Sequence, residues 1–225
     1  MDILCACGDG EEAKSDGFKG VECSYTADSI PLHGELVSEC VVLHLGDLRF
    51  PYVGELTNFL RERIDQILFV AQVDRVVIHA ESALGWLDGE RQARKEFWNR
   101  LSDLPVDVVI ENNVVKAPNK RYDFIRDPLL LLQEVSEAGL GLALDVSHAA
   151  WFYKGWPEAV FSVVRAARHL HLSDWRKGEQ HLPLGEGLLP IEQILSNYTG
   201  KYTTLEVRDK VSDSLHYLQA KSVPF

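Results

Sequence analysis

The chain has 225 residues, 46% hydrophobic and 25% charged, the balance of one soluble globular unit with a full core, so a single domain over residues 1–225 is expected. Its formal net charge of −11 argues against a passive nucleic-acid binder with a basic face, though not against an enzyme whose divalent cations reverse the local field. No stretch approaches the roughly 20 apolar residues of a membrane helix, and the start M-D-I-L-C-A-C-G-D-G lacks the basic and long apolar regions of a signal peptide. No membrane partner and a cytoplasmic location are therefore expected. Cys5, Cys7, Cys23 and Cys40 are too few and too unpatterned for a disulfide framework; Cys5 and Cys7 read as small strand residues in preference to soft metal ligands.

Strand-like runs recur along the chain at 2–7, 20–25, 41–45, 75–79, 106–111, 140–145, 168–173 and 202–207. After the first run, Gly8-Asp9-Gly10 has no third glycine in register, which excludes the phosphate turn of a dinucleotide fold. The clearest helical pattern is Gly54–Val73, with Leu56, Phe59, Leu60, Ile64, Ile67 and Leu68 at helical spacing. Helices Glu90–Leu101, Pro128–Glu137, Pro157–Ala167, Ile191–Tyr198 and Val211–Ala220 follow. Pro128 and Pro157 suit a first helical turn, and Gly139 suits a helix end. Strict alternation implies parallel strands joined by right-handed crossovers. Eight such units predict an α/β fold, a compact single-domain (β/α)8 TIM barrel, over the alternative of an open doubly wound sheet.

Most of these apolar runs end in an acid or a histidine. V-V-L-H ends at His44, R-V-V-I-H at His79 and V-V-I-E-N-N carries Glu111. L-A-L-D-V-S-H carries Asp145 and His148, H-L-H-L-S-D carries His171, and T-T-L-E ends at Glu206. A later segment, E-Q-H-L-P-L-G-E-G, adds Glu179 and His181. Side chains alternate across a strand: Val108 and Ile110 oppose Asp107, Val109 and Glu111, the leucines of Leu140–Asp145 oppose Gly141, Ala143 and Asp145, and Leu170 and Leu172 oppose His169, His171 and Ser173. In a barrel the aliphatic face meets the helices and the other fills the interior. His79, Glu111, Asp145, His171 and Glu206 then point inward at the carboxyl ends of their strands, where barrel enzymes keep their sites. At about 4 Å two carboxylates repel by roughly 4 kcal/mol at an effective dielectric near 20, so Glu111, Asp145 and Glu206 need cations or a shared proton. A mixed His/Asp/Glu set suits zinc, manganese or iron. His33, His169 and His216 lack this context and read as structural, with His169 one layer deeper than His171.

The motifs E-N-N, D-V-S-H, H-L-S-D and H-L-P-L-G-E-G, spread from His44 to Glu206, resemble those of the xylose-isomerase-like TIM barrels, which include endonuclease IV (AP endonuclease family 2) and the sugar isomerases and epimerases. In the isomerase branch the resemblance implies one Mn2+-like ion on Glu111, Asp145, His171 and Glu206, with Glu111 and Glu206 as catalytic acid and base. In the endonuclease IV branch it implies up to three Zn2+ ions, with His79, His148, Glu179 and His181 added as ligands. Glu179 stands where that family has an aspartate. That family also has a histidine after L-G; here Asp47 holds the position and His44 lies three residues earlier, with parity favouring His44. The first functional expectation is a phosphoester or phosphodiester hydrolase in which metal-activated water attacks phosphorus. The alternatives are a one-metal sugar isomerase or epimerase and a non-catalytic barrel scaffold.

Trp86, Trp151, Trp156 and Trp175 follow ligand-bearing strands, with Phe152 and Tyr153 beside Trp151. They form either a stacking surface for bases or sugar faces or packing over the barrel mouth. Lys116, Lys120, Arg121, Lys154, Arg176, Lys177 and Arg208 are candidates for phosphate oxygens. The substrate-binding set taken from these is Trp86, Trp151, Trp175, Arg176 and Arg208. Short connections, notably Thr26–Glu39, and the acidic charge weaken a duplex-DNA reading, leaving DNA or a small phosphorylated or sugar substrate.

Overall fold

A computed structural model describes residues 1–6, 17–25, 40–45, 58, 62, 73–80, 91–114 and 123–221. The expected helix over 54–73 lies outside these apart from helical Asn58 and Glu62 and the non-helical Val73. Cys7, Gly8–Gly10, the 26–39 connection with His33, Asp47, Trp86, Lys116, Lys120 and Arg121 also lie outside them.

The strands are β1 (Asp2–Cys5), β2 (Gly20–Tyr25), β3 (Cys40–Leu45), β4 (Arg75–His79), β5 (Asp107–Glu111), β6 (Gly141–Asp145), β7 (His169–Leu172), β8 (Asp174–Arg176), β9 (Glu179–Leu182) and β10 (Tyr202–Leu205). Eight of them close a barrel in the order β1-β10-β7-β6-β5-β4-β3-β2, every neighbouring pair parallel. The described helices are α1 (Arg91–Ser102), α2 (Asp123–Arg126), α3 (Pro128–Glu137), α4 (Val146–Tyr153), α5 (Val160–Ala166), α6 (Ile191–Asn197) and α7 (Val211–Ala220). The fold is a (β/α)8 TIM barrel, and all eight expected barrel strands lie within two residues of their expected bounds. Among the described residues no helix is long and apolar enough to cross a membrane.

Strand parity divides the core into two layers. Ile3, Leu43, Val76, Ile78, Val108, Ile110, Leu142, Leu144, Leu170 and Leu172 face outward and pack with helical residues such as Phe97, Trp98, Leu131 and Val164. Leu4, Val42, Val77, Val109, Ala143 and Tyr202 form a separate apolar cluster inside the barrel. Each aliphatic side chain so buried contributes about 1.5–3 kcal/mol. Buried Arg75 shares the inward parity. It donates to Asp107 Oδ2 at 2.8 Å and to the Arg168 carbonyl at 2.6 Å, closing the amino-terminal end beneath the apolar cluster.

Local chemistry sets several helix bounds. The Asp127 carboxylate accepts the Leu129 N–H at 3.0 Å and Pro128 opens α3, while Gly139 turns out of it at φ 79°, where glycine carries no Cβ penalty. The helix expected from Pro157 starts at Val160. Its entry is wound tighter, with Val160, Phe161 and Ser162 donating to the carbonyls three residues back. Three elements escaped the sequence reading, the single-turn α2 among them. Helix α4 follows β6 directly and is small or apolar nearly all round, so it lacks a helical stripe. The β8–β9 hairpin consists of very short strands.

Candidate metal centre

Six strands deliver acids or histidines to the carboxyl end of the barrel because each ends on a ligand of inward parity, above the inward layer of Val42, Val77, Val109 and Ala143. Glu111 stands in the middle. Its Oε2 lies 3.1 Å from His44 Nε2 and 3.3 Å from His79 Nε2, and its Oε1 lies 3.3 Å from His171 Nδ1 and 3.8 Å from His148 Nδ1. His171 Nδ1 is also 2.9 Å from Glu206 Oε2. Two further contacts are between histidines: His44 Nε2 to His79 Nε2 at 2.9 Å, and His148 Nε2 to His181 Nε2 at 3.1 Å. Four ligand groups follow: His44/His79/Glu111, Glu111/Asp145/His171/Glu206, Asp145/His148/His181 and, deeper in the barrel, Glu22/His44/His171, the atoms of each within 4.8 Å of one another.

The outer faces of three of the histidines are also held. Asn113 Nδ2 reaches His79 Nδ1 at 3.0 Å. His148 Nδ1 donates to the Asn112 carbonyl at 3.0 Å, and His181 Nδ1 to the Glu206 carbonyl at 3.1 Å. Asn112 in turn clamps β6 to β5, accepting the Asp145 N–H at 2.9 Å and donating to its carbonyl at 3.1 Å. Asp145 divides its carboxylate: Oδ1 caps α4 through Ser147 Oγ and the His148 N–H, while Oδ2 faces the cluster. His181 sits at φ 55°, a left-handed conformation that costs a non-glycine residue of order 1–3 kcal/mol and marks functional sites.

Without cations, protons perform the neutralisation. Burial, the largest influence on Glu111, pushes its carboxyl up; facing His171 and His79 outweigh it and hold it well below the usual range. Burial likewise raises Glu206, but His171 brings it down to about 2. Burial lowers His171, and Glu22, Glu111 and Glu206 lift it well above the usual imidazole range.

The residues fit divalent cations. Both oxygens of Glu111, Asp145 Oδ2, His171 Nδ1 and Glu206 Oε2 are buried without an aligned hydrogen bond, although charged partners lie within 4 Å. Atoms this close but misaligned converge on shared points rather than on each other. A tetrahedral zinc site with Zn–N near 2.0–2.1 Å implies ligand–ligand separations of about 3.3 Å, the scale of the His–Glu and His–His contacts. Mixed nitrogen and oxygen donors suit zinc or manganese better than magnesium or calcium.

Several expected residues stand elsewhere. Glu179 is not in the cluster: β9 turns it outward, and Oε2 pairs with Arg176 at 2.5–2.6 Å. Arg176 is thereby tied on the surface of the hairpin. Trp175, only 7% exposed, is a core residue, because β8 turns its ring inward. Arg208 is exposed and its backbone N–H donates to the His181 carbonyl at 3.0 Å. Trp151, 40% exposed, lines a cavity of about 190 Å³ with Asn113, Val114, Arg126, His148, Phe152 and Lys154, next to the cluster. The sequence reading missed Glu22. It is mid-strand in β2, buried, and touches His44, His169 and His171 within 3.1 Å. Its signal was a lone charge inside an apolar run, whereas the reading followed strand ends.

The L-P-L-G-E-G segment has a structural explanation. Buried Asp174 accepts backbone N–H groups from Trp175, Gly185, Gly187 and Leu189 at 2.8–3.1 Å, holding the loop that follows His181. A Cβ at Gly187 would lie 2.3 Å from Asp174 Oδ1, so this close approach requires glycine.

No protein-family model and no curated protein matches the sequence. Among solved structures, the TTHB071 protein of Thermus thermophilus, soaked with zinc chloride, is 23% identical at TM-score 0.69, covering 99% of this chain and 98% of its own. An AP endonuclease, family 2, of Brucella melitensis is 18% identical at TM-score 0.69, with 100% of both chains covered. The 3-keto-D-glucoside 4-epimerase YcjR of E. coli is 15% identical at TM-score 0.67, covering 98% of this chain and 99% of its own. At these identities the likeness is one of fold: the chain shares the TIM barrel of these structures.

Proposed function

We propose that this chain is a metal-dependent phosphoester or phosphodiester hydrolase with a multinuclear centre. The carrying observation is the pair of facing histidine couples, His44/His79 and His148/His181, on either side of the Glu111/Asp145/His171/Glu206 group. That central group alone supplies enough donors for one ion, and a one-ion isomerase has no use for the two couples. Glu111, with one oxygen toward each side, is suited to bridging neighbouring ions, and Asp145 is suited to the third group.

Charge supports the same reading. Glu22, Glu111, Asp145 and Glu206 carry four formal negative charges. Three divalent cations would leave two positive charges for phosphoryl oxygens, whereas one cation would leave the centre negative and unsuited to an anion. Bound divalent ions supply Lewis acidity, water activated near neutral pH and charge for the leaving oxygen. This chain's part is to hold those donors rigidly and to exclude competing acceptors. Trp151, Phe152 and Lys154 beside His148 offer stacking and positive charge to the group attached to the phosphorus. The cavity is smaller than the roughly 300–1,000 Å³ that drug-sized ligands occupy, so it suits a single sugar or base, carried by DNA or a small phosphoester. A protein named AP endonuclease and a zinc-soaked protein among its fold relatives are in keeping with this. The test is hydrolysis of a panel containing bis(p-nitrophenyl) phosphate, nucleoside monophosphates and abasic-site DNA by Zn2+- or Mn2+-loaded protein. Chelator-sensitive phosphate-ester cleavage is expected; loaded protein inert on the whole panel would contradict the proposal.

A second reading has its own observation. Glu111 and Glu206 both approach His171 Nδ1, at 3.3 and 2.9 Å, so a single ion there would have a carboxylate on either side, as an acid/base pair for a sugar isomerase or epimerase requires. Solvent deuterium entering a ketose would support it, and no exchange across a ketose panel with metal bound would remove it.

A further inference from the structure

Glu22 lies beneath the candidate metal centre, 2% exposed, and receives contacts on both oxygens. Oε1 is 3.1 Å from His44 Nδ1 and 2.9 Å from His171 Nε2. Oε2 is 3.0 Å from His169 Nε2 and accepts Thr204 Oγ–H at 2.5 Å. The contacts at Oε1 are close but not well aligned. An ionised carboxylate only accepts, so each of these groups must offer it a hydrogen.

We infer that Glu22 is a positioning residue that sets the tautomers of His44 and His171, leaving the upper nitrogen of each ring as a lone pair for metal. With Nδ1–H turned down to Glu22, His44 presents Nε2 toward His79 and Glu111. With Nε2–H turned down to the same oxygen, His171 presents Nδ1 toward Glu111 and Glu206. One carboxylate therefore prepares ligands of two neighbouring metal groups, and His44 and His171 do so through opposite ring nitrogens. A cation on Glu22 itself is the weaker reading: His44 and His171 would each have to give up the last ring proton and bridge two ions, which an acceptor role does not require. Partners of this kind fix ring orientation and tautomer, and their loss typically lowers metal affinity about 10–100-fold.

This inference rests on metal binding by the centre, and the experiment separates the two. In wild-type full-length protein loaded with Zn2+, long-range 1H–15N correlation reads the tautomer of each histidine. The expected result is Nδ1–H on His44 and Nε2–H on His171. The reverse tautomer on either ring overturns the inference while leaving metal binding intact; protein that takes up no Zn2+ overturns the metal reading and the inference with it. Cobalt titration of Glu22→Gln then gives the functional reading. Affinity about 10–100-fold weaker, with a changed d–d spectrum and unchanged circular dichroism, supports it. Wild-type affinity and spectrum overturn it. Should Glu22→Gln fail to fold, the wild-type tautomers decide alone.

Discussion

His148 Nε2 and His181 Nε2 face each other at 3.1 Å, and both rings have already committed Nδ1–H to a main-chain carbonyl, Asn112 and Glu206 respectively. Carbonyls cannot donate, so two neutral rings would oppose lone pair to lone pair. A proton relieves this in the cation-free protein, where burial lowers His181 but Asp145 and Glu206 raise it above the usual imidazole range. A metal ion relieves it better, because it takes both lone pairs at once. His181→Ala is therefore expected to remove one ion per chain from the loaded protein and leave the others. Mass-spectrometric metal counting checks this; unchanged stoichiometry would show that the couple holds no ion.

Glu179 supplies the contrasting prediction. Its carboxylate pairs with exposed Arg176, so Glu179→Ala is expected to leave both metal count and affinity within about twofold, the scale of a surface pair worth 0–1 kcal/mol. A lost ion in the same metal count would mean that Glu179 turns inward to ligate.

The pH dependence of stability follows from His44. Burial, the largest influence, lowers it, but Glu111 and Glu22 outweigh burial and raise it to about 9. In cation-free protein a raised imidazole contributes stability that is complete below its unfolded value of about 6.5 and is lost as pH rises through about 9. Metal must displace that proton, so metal affinity rises over the same interval. Thermal unfolding with Zn2+ and with chelator should thus show a gap in melting temperature that widens from pH 6.5 to 9. A gap that narrows over that interval would contradict the assigned protonation.

Asn112→Ala tests the clamp behind the centre. It strands the buried Asp145 N–H and carbonyl, each costing about 1–3 kcal/mol, and frees the backbone that carries Asp145 and His148. Lower unfolding midpoint and weaker metal binding are expected together; a loss of stability with metal affinity unchanged would make Asn112 purely structural.

Gly187→Ala should destabilise by about 1–3 kcal/mol through overpacking, since the added methyl meets the Asp174 carboxylate. Urea unfolding measures it. Stability equal to wild type would show that the Asp174 loop gives way.

The barrel was legible because its strands alternate with helices and most end in an acid or histidine of inward parity, so His79, Glu111, Asp145 and His171 could be placed by parity, whereas His148, on helix α4, came only from the resemblance. His44 was harder to place than His79, since the alternative Asp47 fitted the family spacing. The actual contacts of His44 with His79, Glu111 and Glu22 arise from three other strands. Glu22 was invisible for the same reason: nothing local distinguishes a mid-strand acid until β3 and β7 bring histidines to it. Glu179 and Trp175 failed because the residues after β7 form a hairpin rather than a plain loop, and a hairpin's turn decides which way each side chain faces.

The account's central claim is that one chain holds several metal ions around Glu111. Anomalous scattering at the zinc edge from crystals of Zn2+-loaded protein tests this most directly. The account predicts separate peaks beside His44/His79, between Glu111 and Glu206, and beside His148/His181. A single peak at Glu111/Asp145/His171/Glu206, with both histidine couples bare, would contradict it and return the chain to one-metal chemistry.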